Sequence, residues 1–214
     1  MAFDFVRLSN QYLNVASAPV TAAPVTMSCW FNSLSIAQTQ ALIVIENAAG
    51  NRRYALQILG AVAGDPVQFG ATSGGTTGMA LSSIGYTANT WNHACGIEIN
   101  SASRIVYLNG GNTGTNTTAK NVIDLVELKI GAANSSGTIV NHMNGLIAEV
   151  GIWNAELTAE EVASLSKGMA CNKIRPQSLV FYAPLIRDLQ DVRDGLTLTN
   201  NNGATAANHP RVYA

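Results

Sequence analysis

Charge is what this 214-residue chain has least of. Only 12% of its residues are Asp, Glu, Lys or Arg, against roughly 25% in an average soluble protein. With 21 asparagines, 17 threonines and 19 glycines, the polar surface has to be built from amides, hydroxyls and exposed backbone. The net charge of −1 offers no field that would gather nucleic-acid phosphates or an anionic membrane, so neither is expected as a partner. Long apolar runs are missing too. ALIVI at 41–45 is typical of the longest, far short of the ~20 residues a membrane-crossing helix needs. Met1 leads straight into a strand-like pattern with no basic segment and no apolar stretch behind it, so no Sec-type signal is expected and synthesis is placed in a cytoplasm. Cysteine is scarce. Cys29, Cys95 and Cys171 are an odd set without CxxC spacing, which signals neither a disulfide framework nor a zinc site; each reads as a small buried apolar residue.

What remains has period two. FDFVRL (3–8), TMSCWFN (26–32), ALIVIE (41–46), RYALQIL (53–59), PVQFGAT (66–72), WNHACGIEI (91–99), RIVYL (104–108) and SLVFYAPL (178–185) are short and rich in β-branched and aromatic residues. Turn chemistry separates them at AAGN (48–51), TSGGTTG (72–78), LNGGNTGTN (108–116) and AANSSG (132–137). Strands and turns at this spacing predict an all-β sandwich or barrel. One helix stands out, over about 158–167. Thr158 and Glu161 make a capping box, Glu160 and Glu161 suit the positive helix N-terminus, Val162 and Leu165 form an apolar stripe, and Gly168 follows as a left-handed terminator.

Three segments carry a family resemblance. MSCWFN (27–32), TANTWNHACGIEINSASRIVYLNGG (87–111) and KIGAANSSGTIVNHMNGLIAEVGIWNAELTAEEV (129–162) are similar, in order and spacing, to laminin G-like and pentraxin-like domains, over about residues 26–168. The resemblance implies a concanavalin A-like jelly roll: two curved antiparallel sheets with one short helix, in a single domain over 1–214 whose closing strand and polar segment occupy 172–214. The ending, RPQSLVFYAPL…HPRVYA (175–214), resembles the closing segment of laminin G-like proteins encoded by phages.

The fold hosts lectins, adhesion modules and glycosidases, so function rests on the site. Retaining laminarinase-type enzymes carry E-x-D-x-x-E on one strand face, which sets two carboxylates about 5–5.5 Å apart. Here Glu46, Glu98, Asp124, Glu127 and Glu149 are solitary or wrongly spaced, and Glu156, Glu160 and Glu161 belong to a corner and the helix start. No sialidase-type Asp box and no GxSxG elbow is present. His93 alternates with Trp91, Cys95, Ile97 and Ile99 and reads as a core histidine, while His142 and His209 lie in loop-like sequence. No catalytic residue is assigned. Leu146, Ala148, Val150 and Ile152 are expected on one face of their strand and Ile147, Glu149, Gly151 and Trp153 on the other, with Trp153 packed beneath the helix.

Pentraxin-like relatives use calcium, which wants six to eight oxygens with several from carboxylates. The matching loop, GAANSSGTIVNHMN (131–144), contains no carboxylate, and the other matching position offers Asn51, Arg52 and Arg53. The double-calcium site therefore reads as lost, a weak carbonyl-and-amide calcium site is the disfavoured alternative, and no metal or other cofactor is assigned. Sugar binding without a metal needs amide and hydroxyl donors beside platforms. Asn47, Asn51, Arg52, Asn134, Asn141 and His142 lie in loops that relatives place at one rim, and these are the candidate ligand residues; turn-forming asparagines are the plainer reading of each. Together these observations point to a non-enzymatic phage virion protein, decorating a capsid or associated with tail or fibre. Its expected partners are other virion proteins or its own copies, with glycans as a further contact. A soluble carbohydrate-binding lectin is the alternative, and a glycoside hydrolase with unrecognised acids the third reading.

Overall fold

Alternation makes each strand a ribbon with one apolar face, and such ribbons are stable only when two sheets bury those faces against each other. The computed structural model describes residues 2–213, so Met1 and Ala214, the ends of the expected domain, lie outside the described residues. Its strands are β1 (Ala2–Phe5), β2 (Tyr12–Val15), β3 (Val25–Ser33), β4 (Thr39–Glu46), β5 (Arg53–Leu59), β6 (Pro66–Ser73), β7 (Thr76–Gly85), β8 (Asn92–Asn100), β9 (Ser103–Leu108), β10 (Gly111–Asn116), β11 (Glu127–Ile130), β12 (Ala133–Ser135), β13 (Thr138–Val140), β14 (Gly145–Trp153), β15 (Leu179–Ala183), β16 (Thr199–Asn201) and β17 (Thr205–Ala207). The helix is α1 (Ala159–Ser166).

One sheet runs β10-β9-β8-β3-β14-β1-β17, with β15 also paired to β14; the other runs β16-β2-β11-β4-β5-β6-β7. The pairings are antiparallel. This is the two-sheet jelly-roll sandwich that the resemblance implied. Met27, Cys29 and Phe31 of β3, Leu56 and Ile58 of β5, and Val67 and Phe69 of β6 meet in the shared core. A fully buried side chain of this size contributes about 1.5–3 kcal/mol. All three cysteines are buried and unpaired, as small apolar residues would be.

Four departures from the sequence reading have physical causes. β1 ends at Phe5, and the expected continuation turns into a 3-10 helix at Arg7–Ser9. β7 and β10 form over segments read as turns, TSGGTTG and LNGGNTGTN, because neighbouring strands supply the backbone partners that Gly, Thr and Asn do not demand on their own. β2 and β11, short segments without a strong period-two signal, pair with each other inside the second sheet. Finally, strict alternation fails in β14. Its register slips between Ala148 and Gly151, and Glu149 takes a left-handed φ of 54°. This bulge brings Ile147 to the core alongside Val150 and Ile152, rather than to the opposite face.

Candidate functional site

The outer faces of the two sheets are finished differently. On the β3–β8–β14 sheet, Cys95, Ile97, Trp153 and Tyr182 are roofed by Val162 and Leu165 of α1 together with Leu157, Cys171 and Ile174. The helix sits there because the Thr158 hydroxyl accepts from the Glu161 N–H while the Glu161 carboxylate accepts from the Thr158 N–H. Trp153 is fully buried beneath it, as expected, and donates its indole N–H to the Ile174 carbonyl at 2.8 Å. A Cβ on Gly151 would lie 2.6 Å from the Trp153 ring, so only glycine admits this packing. His93, on the same face, is wholly buried. Its Nε2 lies 2.8 Å from the Ser28 hydroxyl and its Nδ1 has no partner. Burial lowers its pKa to about 3, so it is a neutral core histidine. Beneath α1 and the 171–174 turn this face is closed.

The outer face of the other sheet is covered only in part. The β12–β13 hairpin lies over Ala41, Val44 and Ala55 through Ala133 and Val140. Beneath it, the buried Glu46 carboxylate accepts from the Asn134 N–H (3.0 and 3.1 Å) and from Lys129 Nζ at 2.9 Å, and Lys129 also pairs with Glu127. Burial works against the Lys129 charge, yet Glu127 and Glu46 raise its pKa above the ordinary lysine value. The hairpin is thus pinned by a charged network in which no carboxylate is left free.

Beyond the hairpin a hollow of about 380 Å³ opens across β5, β6 and β7. The strand register sets its lining in three ranks. Arg53, Thr72 and Thr77 form one; Ala55, Gly70 and Met79 the next; Gln57 and Gln68 the third. The middle rank has only a methyl group and a hydrogen at Ala55 and Gly70, which makes the floor. A Cβ on Gly70 would press on Gln68 Nε2 at 3.0 Å and Thr77 Cγ2 at 3.2 Å. Thr72 and Thr77 share a hydroxyl–hydroxyl bond of 2.8 Å, and Gln68 Nε2 donates to Gln57 Oε1 at 3.4 Å. Gln57 is 6% exposed, and its Nε2 has no partner. The lining includes one cation, Arg53, and no carboxylate. Such a site can exchange hydrogen bonds with a neutral polyol; it offers no acid–base pair.

The rim residues predicted from sequence fall into two groups. Asn47, Asn51, Arg52 and Asn134 come together at the β4–β5 tip, where most of their polar atoms are engaged. Asn47 Oδ1 accepts from the Asn51 and Arg52 N–H groups, and its Nδ2 donates to Asn51 Oδ1. Arg52 pairs with Asp124 at 2.5 Å. Asn134 donates to the Ala48 carbonyl and accepts from the Gly137 N–H. Asn141 and His142 lie at the far end of the hairpin. Asn141 has a φ of 54° and its carbonyl accepts from the Ala41 N–H. His142 is mostly buried against Tyr12, and burial, with Arg7 adding, lowers its pKa. The hollow is instead lined by Gln57, Gln68, Thr72 and Thr77, which the loop-based reading missed.

The residues present do not fit a pentraxin-type calcium. Arg53 Nη1 donates to the Asn134 carbonyl at 2.6 Å and to the Gly50 carbonyl at 3.0 Å, so a guanidinium already bridges the tip and the hairpin. Among the described residues no group of three or more His, Cys, Asp or Glu is placed to hold a metal. The other buried acids are committed as well. Glu98 takes Arg104 through two bonds, 2.8 and 3.0 Å. Glu149 accepts from the Tyr182 hydroxyl at 2.6 Å and lies 3.0 Å from His209 Nε2.

Fold and site together define an antiparallel jelly-roll domain of the lectin type, with one closed face and one open, polar face. The chain belongs to the family described as the Concanavalin A-like lectin/glucanases superfamily, in its laminin G-like branch, which matches residues 8–163. Solved structures share the fold at low identity. The heptameric SAP-like pentraxin of Limulus polyphemus is 14% identical with a TM-score of 0.70, covering 95% of this chain and 93% of its own. The CBM40 of the Ruminococcus gnavus IT-sialidase, bound to alpha2,3 sialyllactose, is 14% identical with a TM-score of 0.57, covering 68% and 84%. A tailspike protein of an Escherichia coli O157:H7 bacteriophage is 14% identical with a TM-score of 0.59, covering 86% of this chain but 28% of the tailspike. A search of curated proteins gives no match.

Proposed function

We propose that this chain is a non-enzymatic, glycan-contacting component of a phage virion, placed on the capsid surface or on tail or fibre. The hollow across β5–β7 carries the glycan part of this reading. It is a polar, carboxylate-free depression on the outer sheet face away from α1, and paired hydroxyls and amides line it. Hydrogen-bonding groups of this kind, set beside small apolar surfaces, are what metal-free sugar recognition requires. The fold shared with a sialyllactose-bound module and with a phage tailspike supports the same reading. The phage-like closing segment at 175–214 supports the particle assignment. No catalytic role follows from acids that are each held by a cation, a tyrosine or backbone N–H groups.

Two measurements test the two halves. On a glycan array, binding is expected for the wild type and lost on Thr72→Val/Thr77→Val with the fold intact; a blank array would remove the glycan contact. Mass spectrometry of purified virions should detect the chain, and particles lacking it would refute the particle assignment.

A further inference from the structure

The ranks of the hollow differ in a way that points to one kind of sugar. This step rests on the glycan-contacting reading and narrows it. The hydroxyl rank is internally satisfied, since Thr72 and Thr77 bond each other. The amide rank is not. Gln57 and Gln68 face each other directly across β5 and β6, and their single hydrogen bond leaves Gln57 Nε2 buried without a partner. Gln57 Nε2 has no exposed surface of its own, so a ligand meets it only when the amide turns outward into the hollow. An unpaired buried amide costs about 1–3 kcal/mol, and that turn towards a ligand recovers the cost. Reversing both amides leaves an orphan oxygen in the same place, so either orientation calls for a partner that both donates and accepts, and the apolar neighbours decide which kind. The adjoining surface is apolar and exposed. Met79 and Val62 line the hollow at 47% and 44% exposure.

We infer that the hollow selects 2-acetamido sugars in neutral glycans. The acetamido group presents a carbonyl and an N–H to the Gln57–Gln68 pair and a methyl to Met79 and Val62, while ring hydroxyls reach Thr72 and Thr77. A plain hydroxyl at that position supplies hydrogen bonding but leaves the apolar wall bare.

The test compares matched neutral glycans by isothermal titration calorimetry: triacetylchitotriose against cellotriose, and N-acetyllactosamine against lactose. The acetamido member of at least one pair is expected to bind tenfold or more tightly than its hydroxyl counterpart. Gln57→Leu should bring that ratio close to one, with a lowered unfolding midpoint because it strips Gln68 Nε2 of its acceptor. Gln68→Leu gives the same readout should the first variant fail to fold. Equal affinity within both pairs would overturn the selection and leave glycan contact standing. Failure of all four ligands to bind would overturn the selection, and a simultaneously blank glycan array would take the underlying reading with it. A ratio that survives both substitutions would place the acetamido group elsewhere.

Discussion

The two outer faces of the sandwich do opposite things with similar backbones. The face under α1 is largely apolar, is covered where the helix lies, and holds even its histidine neutral. The face across β5–β7 carries glutamines and threonines, and beyond the β12–β13 hairpin these mostly buried side chains line a hollow rather than a helix contact. A sheet face spent on stability is closed by a helix; a face left open has to be polar to stay in solution, and that polarity is available for a ligand. Substitutions on the closed face should therefore cost folding, and those on the open face should cost binding.

The largest effect is expected at Trp153. Trp153→Ala removes a fully buried ring and its bond to Ile174, and denaturant unfolding should show a loss of about 3–5 kcal/mol. A loss below about 1 kcal/mol would mean that α1 does not depend on this ring. His93 comes next, through acid. Its folded pKa of about 3 lies below the unfolded value of about 6.5, so the unfolded chain binds the proton first. The stabilisation is complete above about pH 6.5 and is lost as pH falls towards 3, by about 1.4 kcal/mol per pH unit. About 2 kcal/mol should be gone by pH 5, and His93→Gln should flatten that part of the pH–stability curve; an unchanged slope would contradict the burial argument. Thr158→Ala, which opens the capping box, should cost about 1 kcal/mol in thermal unfolding. The smallest stability effect belongs to the open face. Gln57→Leu/Gln68→Leu replaces both members of a buried polar pair, and should change stability by less than about 1 kcal/mol while removing the preference for acetamido glycans. Severe unfolding of this variant would erase the distinction between the faces.

The closed face was legible in the sequence. The capping box, the Val162–Leu165 stripe and Trp153 behind Gly151 are local signals, and they place the helix and what it covers. The exception was Glu149, whose left-handed bulge shifts the alternation by one position and has no signature in the residues on either side. The open face was legible only in fragments. Gln57 in RYALQIL and Gln68 and Thr72 in PVQFGAT are the polar beats of apolar strands, and nothing local says that these strands are neighbours or that no helix covers them. The rim asparagines drew attention because they sit in loops. At Asn47 the side chain closes its own turn through the Asn51 and Arg52 N–H groups, which is the plainer role such residues have in turns.

The most direct test of the open-face account is an amide-resolved NMR titration of the full chain with triacetylchitotriose. The account predicts shifts concentrated at Gln57, Gln68, Thr72 and Thr77, with the resonances around Trp153 and α1 unmoved. Shifts confined to the helix-covered face or to the Asn47–Arg52 tip would contradict it.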